Sequence, residues 1–104
     1  LEPDHLLGVP FVPSDQRGVR AMLRLAAVDA HDVVYDLGSG DGRIVVAAAR
    51  EFGARAVGVE IDQERVAQAV DLADRSGVDH MVSFIEYDLL HADFSPATVV
   101  TMEL

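Results

Sequence analysis

Val33-Val-Tyr-Asp-Leu-Gly-Ser-Gly-Asp-Gly-Arg43 joins an apolar run to a cluster of glycines. Val33 to Leu37 is a short β-branched and aromatic run that reads as a buried strand, and it passes directly into glycines at 38, 40 and 42. Glycines so spaced let the backbone turn tightly and approach a ligand where any Cβ would clash. From Arg43 to Phe52, the residues Ile44, Ala47, Ala48 and Phe52 recur at helical spacing, and Gly53 sits where a C-cap glycine belongs. A strand, a glycine loop and a helix in that order place a nucleotide-like ligand at the strand's carboxyl end.

Glycine loops also make strand-to-helix turns that bind nothing, so the loop needs support from the next strand, expected at Ala56–Glu60. Glu60 lies 22 residues after Gly38, close to the ~20-residue offset at which an acid accepts hydrogen bonds from a ribose diol. NAD and S-adenosylmethionine share that ribose, and charge separates them. A dinucleotide's pyrophosphate would be repelled by carboxylates in the loop, and Asp36 and Asp41 flank the glycines. S-adenosylmethionine carries a sulfonium and an ammonium, which carboxylates in a partly desolvated loop favour. Asp88, past the third strand, reads equally as an acceptor for an adenine amino group and as the cap of a local turn. Glu103, after the fourth strand, reads as a further acid at that level or as a solvated tail charge.

Asp62 can cap a helix from Gln63 to Ser76, with Val66, Ala69, Val70 and Ala73 facing inward and Gly77 ending it. Val82–Tyr87 reads as a third strand and Ala97–Met102 as a fourth. Upstream, three prolines in residues 1–13 mark an irregular entry. Ser14 is the expected N-cap of a helix over Asp15–Val28, whose inner stripe is Val19, Met22, Leu23 and Ala26. Alternating strands and helices argue for an α/β domain with a parallel sheet and helices on its faces.

The 104 residues fit one domain of the usual ~50 to 250. Half are hydrophobic and a quarter charged, as packed globular chains require. Eighteen acids face eight basic residues for a net charge of -10; all eight are Arg, and Lys is absent. Phosphate contacts dominate nucleic-acid affinity, so no nucleic-acid partner is expected of a chain without a basic stripe. The absence of Cys excludes disulfides, thiolate metal sites and Cys nucleophiles. No apolar run approaches the ~18 residues of a membrane span, and the N-terminus lacks the order of a signal peptide. The expected location is the cytoplasm. His5, His31, His80 and His91 fall in expected loops without a convergent carboxylate, so neither a metal nor a catalytic base is assigned.

Asp36-Leu-Gly-Ser-Gly-Asp-Gly-Arg43, Val57-Gly-Val-Glu-Ile-Asp62 and Phe84-Ile-Glu-Tyr-Asp88 together resemble the first three motifs of class I S-adenosylmethionine-dependent methyltransferases. Val9-Pro-Phe-Val-Pro-Ser14 and Gly42-Arg-Ile-Val-Val-Ala-Ala-Ala49 are similar, more narrowly, to the small group of lysine N-methyltransferases that modify the adenine nucleotide translocase and the ATP synthase c-ring protein. The resemblance implies a Rossmann-like sheet in the order 3-2-1-4, S-adenosylmethionine as cofactor with S-adenosylhomocysteine as product, and a protein substrate. It implies that Asp36, Gly38, Ser39 and Gly40 hold the methionine part, Glu60 the ribose, Ile61 one adenine face, and Asp88 with Leu89 the adenine edge. Val12, Pro13 and Ser14 would close over the cofactor.

The family's complete domain has seven strands. The expectation is therefore a cofactor-binding domain over residues 1–104, with an N-terminal segment and helix at 1–28 and a Rossmann-like core at 33–104, incomplete at its C-terminus. An exposed sheet edge in such a chain favours a homo-oligomer. The Asn/Asp-Pro-Pro-aromatic motif of many amide and adenine N-methyltransferases does not occur. An NAD-binding oxidoreductase domain and a non-catalytic nucleoside-binding module are the alternatives.

Overall fold

The computed structural model describes residues 15–88 and 91–102. Its elements run α1 (Gln16–Leu25), β1 (Val33–Leu37), α2 (Arg43–Phe52), β2 (Arg55–Glu60), α3 (Gln63–Arg75), β3 (Val82–Glu86) and β4 (Val99–Met102). All pairings are parallel and the strand order is β3-β2-β1-β4, as the resemblance implied.

Local chemistry sets the helix ends. The cap of α1 is Asp15, whose carboxylate accepts from Gly18 N at 2.7 Å; Ser14, the expected cap, lies outside the described residues. Aspartate satisfies the orphan donors of a first turn as well as serine does. α1 ends at Leu25, short of the expected Val28, because Ala27 turns to φ +56. Ala27 N then donates to Arg24 O and Val28 N to Leu23 O, the paired closure of a Schellman motif. α2 has the expected bounds, stopped by Gly53 at φ +72. Asp62 caps α3 by accepting from Glu64 N and Arg65 N.

β4 begins two residues later than expected, since Ala97 N donates to Phe94 O in a turn. Thr98 then fastens the strand to the start of β1. Its Oγ1 donates to Asp32 Oδ1 at 2.7 Å and accepts from Val33 N at 2.8 Å.

Strand alternation sorts side chains to two faces. Val34, Ala56, Val82 and Val99 meet Val19, Met22 and Leu23 of α1, Ile44, Val45 and Ala48 of α2, and Ala73 of α3 in the main core. Tyr35, Leu37 and Val59 form a smaller cluster on the opposite face, with Val57, Val100 and Met102 and with Ala92 and Ala97 of the loop before β4. Full burial of a Leu, Ile or Val stabilises by roughly 1.5–3 kcal/mol, and Leu23, Ile44, Val34 and Val45 are wholly enclosed. Val70, expected to face inward, is instead 51% exposed. α3 turns its alanines Ala69 and Ala73 inward, with Leu72 against the core, because α2 approaches it too closely at Gly42 for a larger side chain.

Candidate functional site

β1 carries Asp36 and Leu37 up to the glycine loop, where Gly38 and Gly40 take φ +82 and +58. Those left-handed conformations turn consecutive amides toward β2. Gly38 N and Ser39 N both donate to Val59 O, at 2.8 and 3.0 Å. Gly40 N donates to Glu60 Oε1 at 2.8 Å, and Asp62 N to Glu60 Oε2 at 3.1 Å. Two backbone donors therefore orient the Glu60 carboxylate, and each oxygen keeps a lone pair for a ligand. Glu60 has no basic partner among the described residues.

Asp36 is fully buried and accepts a hydrogen bond from Thr101 Oγ1 at 2.8 Å. Its partners in register are Gly58 on β2 and Thr101 on β4. A buried carboxylate is tolerable only when hydrogen-bonded, and Thr101 supplies one such donor.

Ser39 lies in the loop as expected, but its side chain is turned inward. Its Oγ is buried without a hydrogen-bond partner among the described residues. A Cβ at Gly58 would stand 2.7 Å from that Oγ and 2.8 Å from Phe84 Cδ1, so β2 must carry glycine there for the loop to settle onto the sheet. Ser39 thus presents backbone, not hydroxyl, to a ligand. Gly42 corrects the reading of the three glycines: a Cβ there would meet Ala69 Cβ at 2.7 Å. This third glycine serves the packing of α2 on α3 rather than ligand approach.

Asp41 is also tied down within the loop. It accepts from Arg43 Nη2 at 2.7 Å, Nε at 3.1 Å and backbone N at 3.2 Å. The Arg43 side-chain hydrogen bonds hold its carboxyl below the ordinary value, outweighing the partial burial that pushes it up. With Asp41 neutralised locally, Asp36 and Glu60 carry the acidic character of the loop.

Ile61 follows Glu60 and is 63% exposed, an apolar side chain left in solvent at the strand ends. Tyr87 N donates to Glu60 O at 3.1 Å, which brings the exit of β3 alongside. Asp88 forms a local turn with His91, whose backbone N donates to Asp88 O at 3.0 Å and whose Nδ1 lies 3.3 Å from Asp88 Oδ2. Asp36, Gly38, Ser39, Gly40 and Glu60 therefore converge at the carboxyl ends of β1 and β2, with Ile61 just past β2 and Asp88 just past β3. Leu89, Val12, Pro13 and Glu103 lie outside the described residues.

Gly58 and Thr101 were not singled out from the sequence. A glycine inside a strand signals close backbone approach, and a hydroxyl in the apolar run Val99-Val-Thr-Met102 was the available hint of a buried partner. A cavity of about 550 Å³ lies between α1, α2 and α3, lined by Arg20, Arg43, Arg50 and Glu51 among others; it shares only Arg43 with the loop. Among the described residues no cluster of three His, Cys, Asp or Glu is placed to hold a metal, and no helix is long and apolar enough to cross a membrane.

A parallel sheet in this order, with a glycine loop after its first strand and a carboxylate closing its second, is the fold of class I methyltransferases. Solved structures agree. An RNA methyltransferase from Salinibacter ruber in complex with S-adenosyl-L-homocysteine superposes with a TM-score of 0.86 at 55% identity, covering 89% of this chain and 61% of that one. A SAM-dependent methyltransferase from Thiobacillus denitrificans, also in complex with S-adenosyl-L-homocysteine, gives 0.73 at 30% identity over 90% and 37%. The chain belongs to the ANTKMT methyltransferase domain family, whose match covers residues 36–104. It is 46% identical to a protein-lysine N-methyltransferase of Saccharolobus islandicus, over 92% of this chain and 60% of that protein. It is 40% identical to the ATP synthase c-subunit lysine N-methyltransferase of Xenopus laevis, over 86% and 38%. The chain thus spans 60% or less of the length of these two relatives.

Proposed function

We propose that this chain is the S-adenosylmethionine-binding part of a methyltransferase that modifies protein lysine. The carrying observation is the Glu60 carboxylate, pinned by Gly40 N and Asp62 N beside a glycine loop and without a basic partner among the described residues. That donor set suits a ribose diol next to a cation and suits a pyrophosphate poorly. When bound, S-adenosylmethionine supplies a sulfonium methyl to a deprotonated amine. Around it, Glu60 accepts from the ribose hydroxyls, Gly38 to Gly40 offer close backbone approach to the methionine part, and buried Asp36 provides negative charge. Ile61 packs on the adenine, with Asp88 and Leu89 along its edge. The reading includes one domain over 1–104, a cytoplasmic location and self-association through the sheet edge.

Titration calorimetry tests the site. The protein should bind S-adenosylhomocysteine and not NAD, and Asp36→Ala or Glu60→Ala should each weaken binding by about 1–3 kcal/mol. Unchanged affinity in both variants would overturn the assignment.

Lysine as acceptor is supported by the two lysine methyltransferase relatives and by the net charge of -10, which attracts basic protein segments. RNA is the second reading, favoured by the Salinibacter ruber structure and opposed by that same charge. Transfer of labelled methyl by the full-length protein to a lysine-containing protein, and not to RNA, is the expected outcome; label on RNA alone would reverse the order.

A further inference from the structure

We infer that Thr101 is a positioning residue for the cationic end of the cofactor, acting through Asp36; the inference rests on the cofactor reading above. Parallel register sets Thr101 on β4 opposite Asp36 on β1, and alternation turns both toward the helices. Their side chains meet at 2.8 Å with Asp36 at 0% and Thr101 at 1% exposure. The bond is shielded from solvent. Val99, two residues earlier on the same face, is ordinary core; valine would fill position 101 as well as threonine does, so packing does not explain the hydroxyl. A β-branched side chain has a stiff χ1, and its donor is therefore placed by the backbone of β4. It fixes the rotation of the Asp36 carboxylate below the loop that Gly38 and Gly40 shape. Attraction between that charge and a cation above it depends steeply on separation in a desolvated site, so a carboxylate that loses this donor is held less firmly and binds the cation less well.

The test compares two probes on the folded protein. S-adenosylmethionine carries the ammonium and sulfonium; 5′-methylthioadenosine has the same nucleoside without the amino-acid end. Thr101→Val should lower S-adenosylmethionine affinity about tenfold, the change expected when a carboxylate shifts from about 4 to about 6 Å from a cation in a partly desolvated site. Affinity for methylthioadenosine should not change. Thr101→Ser, which keeps the hydroxyl, should restore S-adenosylmethionine binding. Where Thr101→Val alone fails to fold, the comparison is made in an Asp36→Asn background, which leaves no carboxylate without its donor; there Thr101→Val should add no further loss. Equal weakening of both probes, no weakening of either, or a further loss in the Asp36→Asn background would overturn the positioning role. A parent protein that binds neither probe would instead overturn the cofactor reading itself.

Discussion

Replacing Gly42 by Ala would set a methyl 2.7 Å from Ala69 Cβ and 3.3 Å from Phe84 Cε1, on a backbone held at φ +86. Two costs add. An L side chain in the left-handed region costs roughly 1–2 kcal/mol, and forcing a methyl between packed elements typically costs ~1–3 more. The sum of about 2–5 kcal/mol is a large share of the roughly 5–15 kcal/mol that holds such a domain together. Urea unfolding followed by circular dichroism reads it directly, because a slope of ~1–3 kcal/mol per molar urea turns that loss into a midpoint lower by at least roughly 0.7 M, and by about 2 M for mid-range values. Adding Ala69→Gly removes the closest overlap while leaving the backbone strain and costing about 1 kcal/mol of helix propensity, so the double variant should recover only part of the loss. Since Gly42 serves packing, Gly42→Ala protein that is folded should still bind S-adenosylhomocysteine. A midpoint unchanged within roughly 0.3 M, or a stable variant that has lost binding, would contradict a packing role for Gly42.

Two further outcomes follow from local geometry. Ala27→Gly relieves a non-glycine φ of +56 at a Schellman position and should raise stability by about 0.5–1 kcal/mol, seen as a melting temperature higher by several degrees; a lower one would contradict the assignment. The Asp41 carboxyl sits below its ordinary 3.8 through the side-chain hydrogen bonds of Arg43. A depressed carboxyl adds stability above the unfolded value and loses it as pH falls through the folded one, so this contribution disappears below about pH 4. Arg43→Met should lower stability at pH 7 by roughly 0.2–1 kcal/mol, small because both side chains are about 40% exposed, and should weaken the acid dependence. Parallel curves of urea midpoint against pH for the two proteins would count against it.

β1 and α2 could be read residue by residue because their signals are local: a β-branched run, a loop of glycines and a C-cap glycine. The start of β4 could not, since it is set by a turn at Phe94 and by the grip of Thr98 on Asp32 and Val33, more than sixty residues away. Spacing identified the apolar positions of α3 but not how the helix rotates, which left Val70 outside once Gly42 met Ala69. The acids of the loop were legible as residues, but spacing does not reveal that Arg43 neutralises Asp41. Gly58 and Thr101 escaped notice for one reason: their importance lies in which strand positions stand beside Ser39 and Asp36, and that depends on register.

The contact between Thr101 and Asp36 also bears on the order in which the site assembles. It joins residues 65 apart, whereas Gly40 and Glu60 are only 20 apart. Closing a longer loop costs more chain entropy, and non-local pairings form more slowly. The Glu60 half of the site can therefore form within a single strand–helix–strand unit, while the Asp36 half waits for β4 to dock. A ligand that engages both halves would favour the state with β4 in place, so binding should stabilise the last strand more than the first three.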